Sequence, residues 1–109
     1  MKIIVNFKST GLSVNEFNYD KHKAEFLKYY NEQLTLQENG KVSYSTDNGI
    51  HMIRALIKEN LINKDYIEFK YISKSGEKFS IYCDQDGRLS EWPDGFCDLI
   101  MKLSEVLIG

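Results

Sequence analysis

Asp47 and His51 stand four residues apart at the start of an apolar-periodic stretch, a spacing that places an acid and an imidazole on one helical face. Such a pair could work as a hydrogen-bonded acid and base or hold a metal ion; it equally suits an N-cap acid followed by a surface or core-edge histidine. A nucleophile triad would need Ser or Cys beside a histidine and an acid, and the chain holds only His22 and His51. Cys83 and Cys97 fit no paired-cysteine metal pattern, so both read as reduced, mostly buried thiols. Asp84-Gln85-Asp86-Gly87 is like the opening of a calcium loop, but Arg88 and Leu89 follow where oxygen ligands must continue, which leaves a turn. No glycine-rich loop leads into a Lys-Ser or Lys-Thr pair at a helix start. The expectation is therefore no catalytic residue, no metal and no cofactor.

Trp92-Pro93-Asp94-Gly95-Phe96 holds the only tryptophan and the only proline. One reading is structural: Trp92 and Phe96 staple a last helix to the sheet, with Pro93 and Asp94 near its N-terminus. The other is an aromatic anchor at a rigid corner, the kind of residue that dominates interface energetics.

The elements that must position these residues follow from periodicity. Met1 to Phe7 is a β-branched apolar run, hence a strand, ending at the turn-prone Lys8-Ser9-Thr10-Gly11. Ala24, Leu27, Tyr30 or Asn31, and Leu34 predict a helix from about Asp20, closed by Asn39-Gly40 with the glycine left-handed. Lys41 to Ser45 alternates as a strand. Thr46, Asp47 and Asn48 are all good caps, and Ile50, Ile53, Leu56, Ile57 and Leu61 trace a second helix to about Asn60. Tyr66 to Ile72 and Glu77 to Cys83 read as a hairpin around Ser73 to Gly76, and Asp86-Gly87 as a further turn. Phe96, Leu99, Ile100, Leu103, Val106 and Leu107 predict a last helix. The fold class is α/β, a small mixed sheet of order β-α-β-α-β-β-α in one domain spanning 1–109, arranged in three layers whose edges and faces invite a partner.

Composition narrows the function classes. With 42% hydrophobic residues the chain can build a core, and no apolar stretch approaches the ~20 residues of a membrane span. The N-terminal apolar run is too short for a signal-peptide core, so a cytoplasmic protein is expected. A net charge of −2 removes the broad electrostatic pull toward phosphate backbones, which disfavours direct nucleic-acid binding.

Asp86-Gly87-Arg88-Leu89-Ser90-Glu91-Trp92-Pro93-Asp94-Gly95-Phe96-Cys97-Asp98 resembles the C-terminal signature of bacterial ABC-type ATPases related to the overcoming-lysogenization-defect ATPases. There the pattern is approximately Asp-Gly-Arg-Leu, two residues, then Trp-Pro-Glu-Gly-Phe-Phe-Asp. The resemblance reaches from Tyr44 through Asp98 in the order of elements, with His51-Met52-Ile53-Arg54 on the matching helix. It implies the C-terminal half of an ATPase head. Where the family carries the acidic end of its Walker B strand, this chain has Asn6-Phe7-Lys8; where it carries the switch histidine after Thr46, this chain has Asp47-Asn48. Neither can orient water, hold magnesium or contact a γ-phosphate as the lost groups do.

The resemblance thus implies a degenerate, noncatalytic accessory or regulatory subunit whose protein partner is an ABC-type ATPase, in a bacterial antiphage (antiviral) defence setting. Trp92, Pro93, Phe96, Asp47 and Asn48 are its candidate partner-binding residues. The alternative is a small acidic immunity protein or antitoxin that gathers Asp84, Asp86, Glu91, Asp94 and Asp98 into one negative patch and inhibits a toxin by direct binding. Self-association stays open under either reading.

Overall fold

The computed structural model describes residues 1–8, 18–45, 47–73 and 75–93. The elements run β1 (Ile3–Phe7), α1 (Tyr19–Leu36), β2 (Gly40–Tyr44), α2 (Asp47–Lys58), a single 3-10 turn (Lys64–Tyr66), β3 (Ile67–Ile72) and β4 (Lys78–Ile81). They form a small α/β fold with a mixed four-stranded sheet of order β2-β1-β3-β4. β1 is parallel to both β2 and β3, and β4 closes the far side as the antiparallel arm of the hairpin. The final helix expected from Phe96 onward lies outside the described residues.

One side of the sheet makes the core. Ile3, Val5 and Phe7 alternate inward along β1, and Ile67, Phe69, Tyr71 and Ile81 join them from β3 and β4. Both described helices pack on this same side, so the described residues build two layers. α2 buries Ile50, Met52, Ile53, Leu56 and Ile57, whereas α1 buries only Phe26 and Tyr30. At about 2 kcal/mol for each buried side chain, α2 contributes more than twice the hydrophobic stabilisation of α1.

The inward face of α1 keeps part of the expected stripe: Tyr30 is in the core and Leu27 packs against it, but Ala24 and Asn31 are exposed, Leu34 is largely so, and Phe26, one turn before Tyr30, is buried instead. The tyrosines also tie the helix to its neighbours. Tyr30 Oη accepts from the backbone N–H of Asn63 at 3.0 Å, and Tyr29 Oη accepts from that of Lys41 at 3.0 Å. The cap is Asn18, whose side chain accepts from the N–H of Lys21 at 3.0 Å, so the helix starts just ahead of Asp20.

The exit from α1 also departs from expectation. Gln37, not Gly40, takes the left-handed conformation, with φ 54°. Gly40 instead opens β2, where a Cβ would overlap the Tyr29 hydroxyl; its glycine identity answers to close approach rather than to a turn. The second helix ends as Asn60 turns left-handed (φ 61°), its N–H and that of Leu61 donating to the carbonyls of Ile57 and Leu56. That reversal leaves Leu61 exposed and sends Ile62 into the core in its place. In the hairpin, Gly76 at φ +89° supplies the positive dihedral its turn requires.

Gly49 sits where α2 crosses β2, and a Cβ there would overlap the Tyr44 ring and approach its Cβ. Alanine gains about 1 kcal/mol of helix propensity but meets a clash of about 1 to 3 kcal/mol that side-chain rotation alone cannot relieve. Gly49→Ala is expected to destabilise the fold by up to about 2 kcal/mol in urea denaturation, and combining it with Tyr44→Ala should recover part of that loss.

Candidate functional site

Asp47, His51 and Arg54 fall at i, i+4 and i+7 of α2 and so share one helical face. Asp47 is half-buried in the first turn and Asn48 beside it is exposed. Arg54 is the hub of the face. Its Nε donates to the Gly87 carbonyl at 2.7 Å, one terminal N–H pairs with His51 Nδ1 at 2.8 Å, and the guanidinium carbon lies 5.0 Å from the centroid of the Trp92 ring.

A guanidinium only donates, so His51 Nδ1 must accept and the ring proton sits on Nε2. Nε2 is buried with no hydrogen-bond partner among the described residues. Burial first, and then the facing Arg54 charge, pull the imidazole below its ordinary value of 6.5, with Asp47 opposing them. The expected acid–base pair is therefore not formed in the sense catalysis needs: the basic nitrogen is occupied by a cation, and the protonated one is turned away from solvent.

The loop that meets Arg54 is self-braced. The Asp84 carboxylate accepts from the N–H groups of Asp86 and Arg88, both at 2.9 Å, and the N–H of Asp84 donates to the Arg88 carbonyl at 2.8 Å. Gly87 has φ +82°, and a Cβ there would lie 3.2 Å from the Arg54 carbonyl. Gln85 Nε2 donates to the Ile57 carbonyl at 2.9 Å and to Asn60 Oδ1 at 2.6 Å, bolting the loop to the end of α2. Beyond it a Cys83–Leu89 bridge and paired bonds between Tyr82 and Ser90 hold the chain that leads to Trp92.

The structure thus links the two sets of candidate residues. Asp47 and Asn48 lie at one end of α2, Trp92 and Pro93 beyond the loop, and His51 with Arg54 bridges them; Phe96 lies outside the described residues. Sequence reasoning missed Arg54 and Gln85. The 47-51-54 spacing was the available signal for Arg54, whereas nothing local marked Gln85.

Among the described residues, no group of three or more His, Cys, Asp or Glu is placed to hold a metal ion. Cys83 is a free, buried thiol whose pKa burial pushes up to about 11, so at neutral pH it is not a nucleophile. The acidic patch is thinner than its composition suggests, because the Asp84 carboxylate is turned to backbone N–H groups; Asp94 and Asp98 lie outside the described residues. What the corner does offer is Trp92, 37% exposed and held by cation–π contact, with Pro93 fixing the backbone after it.

Protonating His51 would set a second cation against Arg54, so around pH 6.5 the folded chain binds fewer protons than the unfolded one. Stability carries no penalty from this group above about 6.5 and declines as the pH falls below that value. His51→Gln, which cannot charge, should flatten this window in denaturation curves taken at successive pH values. An unchanged slope would remove His51 as its source.

Among the described residues no helix is long and apolar enough to cross a membrane. Set beside protein-family models, curated proteins and solved structures, the chain finds no match.

Proposed function

We propose that the chain is a noncatalytic protein-binding subunit that docks on an ABC-type ATPase head, within a bacterial antiphage defence system. The observation that carries the reading is the presentation of Trp92. A large aromatic ring, part-exposed and clamped on Arg54, loses little conformational entropy when a partner covers it. The segment that delivers it, Asp86 through Pro93, belongs to the stretch Asp86 through Asp98 that resembles the ATPase signature. Asn6 and Lys8 at the end of β1 supply no carboxylate for magnesium, which supports a binding rather than a hydrolytic role.

Mixing the purified chain with the proteins encoded beside it and with an ABC-type ATPase of this class, followed by size-exclusion chromatography with light scattering, is the direct test. A stable complex is expected, and Trp92→Ala should weaken it by about 30-fold, the loss typical of a central aromatic anchor of ~2 kcal/mol. The melting temperature of the free chain should change far less than the affinity. No complex with the ATPase, or a complex indifferent to Trp92→Ala, would refute the proposal. A complex with a small basic toxin instead would establish the inhibitor reading.

A further inference from the structure

The sheet has a second face, and its charge is not that of the chain. Strand alternation and register set two rows across this face, Lys41, Ile4 and Glu68 in one and Ser43, Asn6, Lys70 and Ser80 in the other, each residue beside the next. Ile72 pairs with Lys78, and Lys2 and Lys8 continue the same side of β1 at its two ends, the N–H of Lys8 still bonded to Tyr44. Lys8, Lys41, Lys70 and Lys78 are exposed. Against these lysines the described part of this face sets a single carboxylate, Glu68, although the whole chain carries a net charge of −2.

Glu68 organises the face while offsetting only one of its positive charges. Its side chain is only 10% exposed; it accepts from Tyr82 Oη at 2.6 Å and lies 3.5 Å from Lys2 Nζ and 3.7 Å from Lys70 Nζ. These donors hold the carboxyl below its ordinary value of 4.5, the Tyr82 hydroxyl foremost. The bond fixes the Tyr82 ring, 48% exposed, with Lys2 Nζ 5.7 Å from its centroid.

We propose that this open face binds single-stranded nucleic acid, its lysines taking phosphates and Tyr82 stacking a base. Three features favour this occupant over an acidic protein. The lysines lie on β2, β3 and β4 and just beyond the two ends of β1 rather than along one edge, so they suit a repeating anion. Among them are Tyr82 and Ile72, 48% and 53% exposed; the Tyr82 ring offers a flat face to a base and Ile72 adds aliphatic contact. Asn6, Ser43 and Ser80 add neutral hydrogen-bonding groups for base edges and sugars. The proposal is independent of the Trp92 corner, which stands on the helical side at the end of the loop.

The test is fluorescence anisotropy of a labelled oligothymidine of about 20 nucleotides with the full chain, titrated in low and physiological salt. With Lys8, Lys41, Lys70 and Lys78 on phosphates, affinity should drop about 50-fold between 50 mM and 200 mM salt. The triple variant Lys41→Ala, Lys70→Ala, Lys78→Ala should lose binding at least tenfold and flatten the salt slope. The charge-matched control Lys21→Ala, Lys23→Ala, Lys28→Ala, on α1, should stay within about twofold of the parent. Tyr82→Leu should cost about tenfold and Tyr82→Phe, which keeps the ring, much less. Absence of binding at 50 mM salt, equal losses in the two triple variants, or tighter binding of poly-glutamate than of the oligonucleotide would each overturn the proposal. Circular dichroism melts of the exposed-lysine variants confirm that any loss is not unfolding.

Discussion

Five residues, Ile3–Phe7, are hydrogen-bonded on both sides, to β2 and to β3, and everything else is arranged around their alternation. Side chains of odd number enter the core with no more than 2% of their surface exposed, and those of even number are left on the other side of the sheet. A slip of one residue would exchange Ile3, Val5 and Phe7 for Lys2, Ile4 and Asn6. The register of this strand therefore fixes the hydrophobic seat of both helices and the identity of the polar face together.

The polar face is unusual for strands that pair in parallel, which are commonly covered on both sides. Here the described helices share one side, and the other is populated by lysine, serine and asparagine. Whole-chain charge is a poor guide to such a molecule. A formal charge of −2 averages the acids along the helices and loops with the lysines of the sheet, and a partner meets one surface at a time.

Much of this was legible from periodicity. The hairpin, the central strand and the apolar stripe of α2 follow from β-branched runs, glycine turns and helical spacing, because in each the local pattern and the tertiary environment agree. The inward face of α1 was legible only at Leu27 and Tyr30, since Tyr29 and Tyr30 act there partly through their hydroxyls, reaching Lys41 and Asn63 across the fold. Left-handed Gln37 broke the expectation that glycine would end the helix, because Gly40 was needed for the close approach of Tyr29. At the corner, Trp92 and Pro93 stood out by composition, but the clamp on Trp92 depends on bringing 54, 87 and 92 together. The lysines of the open face alternate visibly in each strand; only the pairing of strands distant in sequence reveals that they share one surface.

The position of β1 has a consequence for how the chain is made. Its partners lie far downstream, Ile3 pairing with Gly40 and then with Ile67, so this strand is made before either of the strands that fill its two edges. Such nonlocal pairing slows folding, because the loop must close before the contact rewards it. Until β3 has left the ribosome, Ile3-Ile4-Val5 is a short β-prone segment with an open edge, and the nascent chain carries its greatest risk of mispairing at that stage rather than after release.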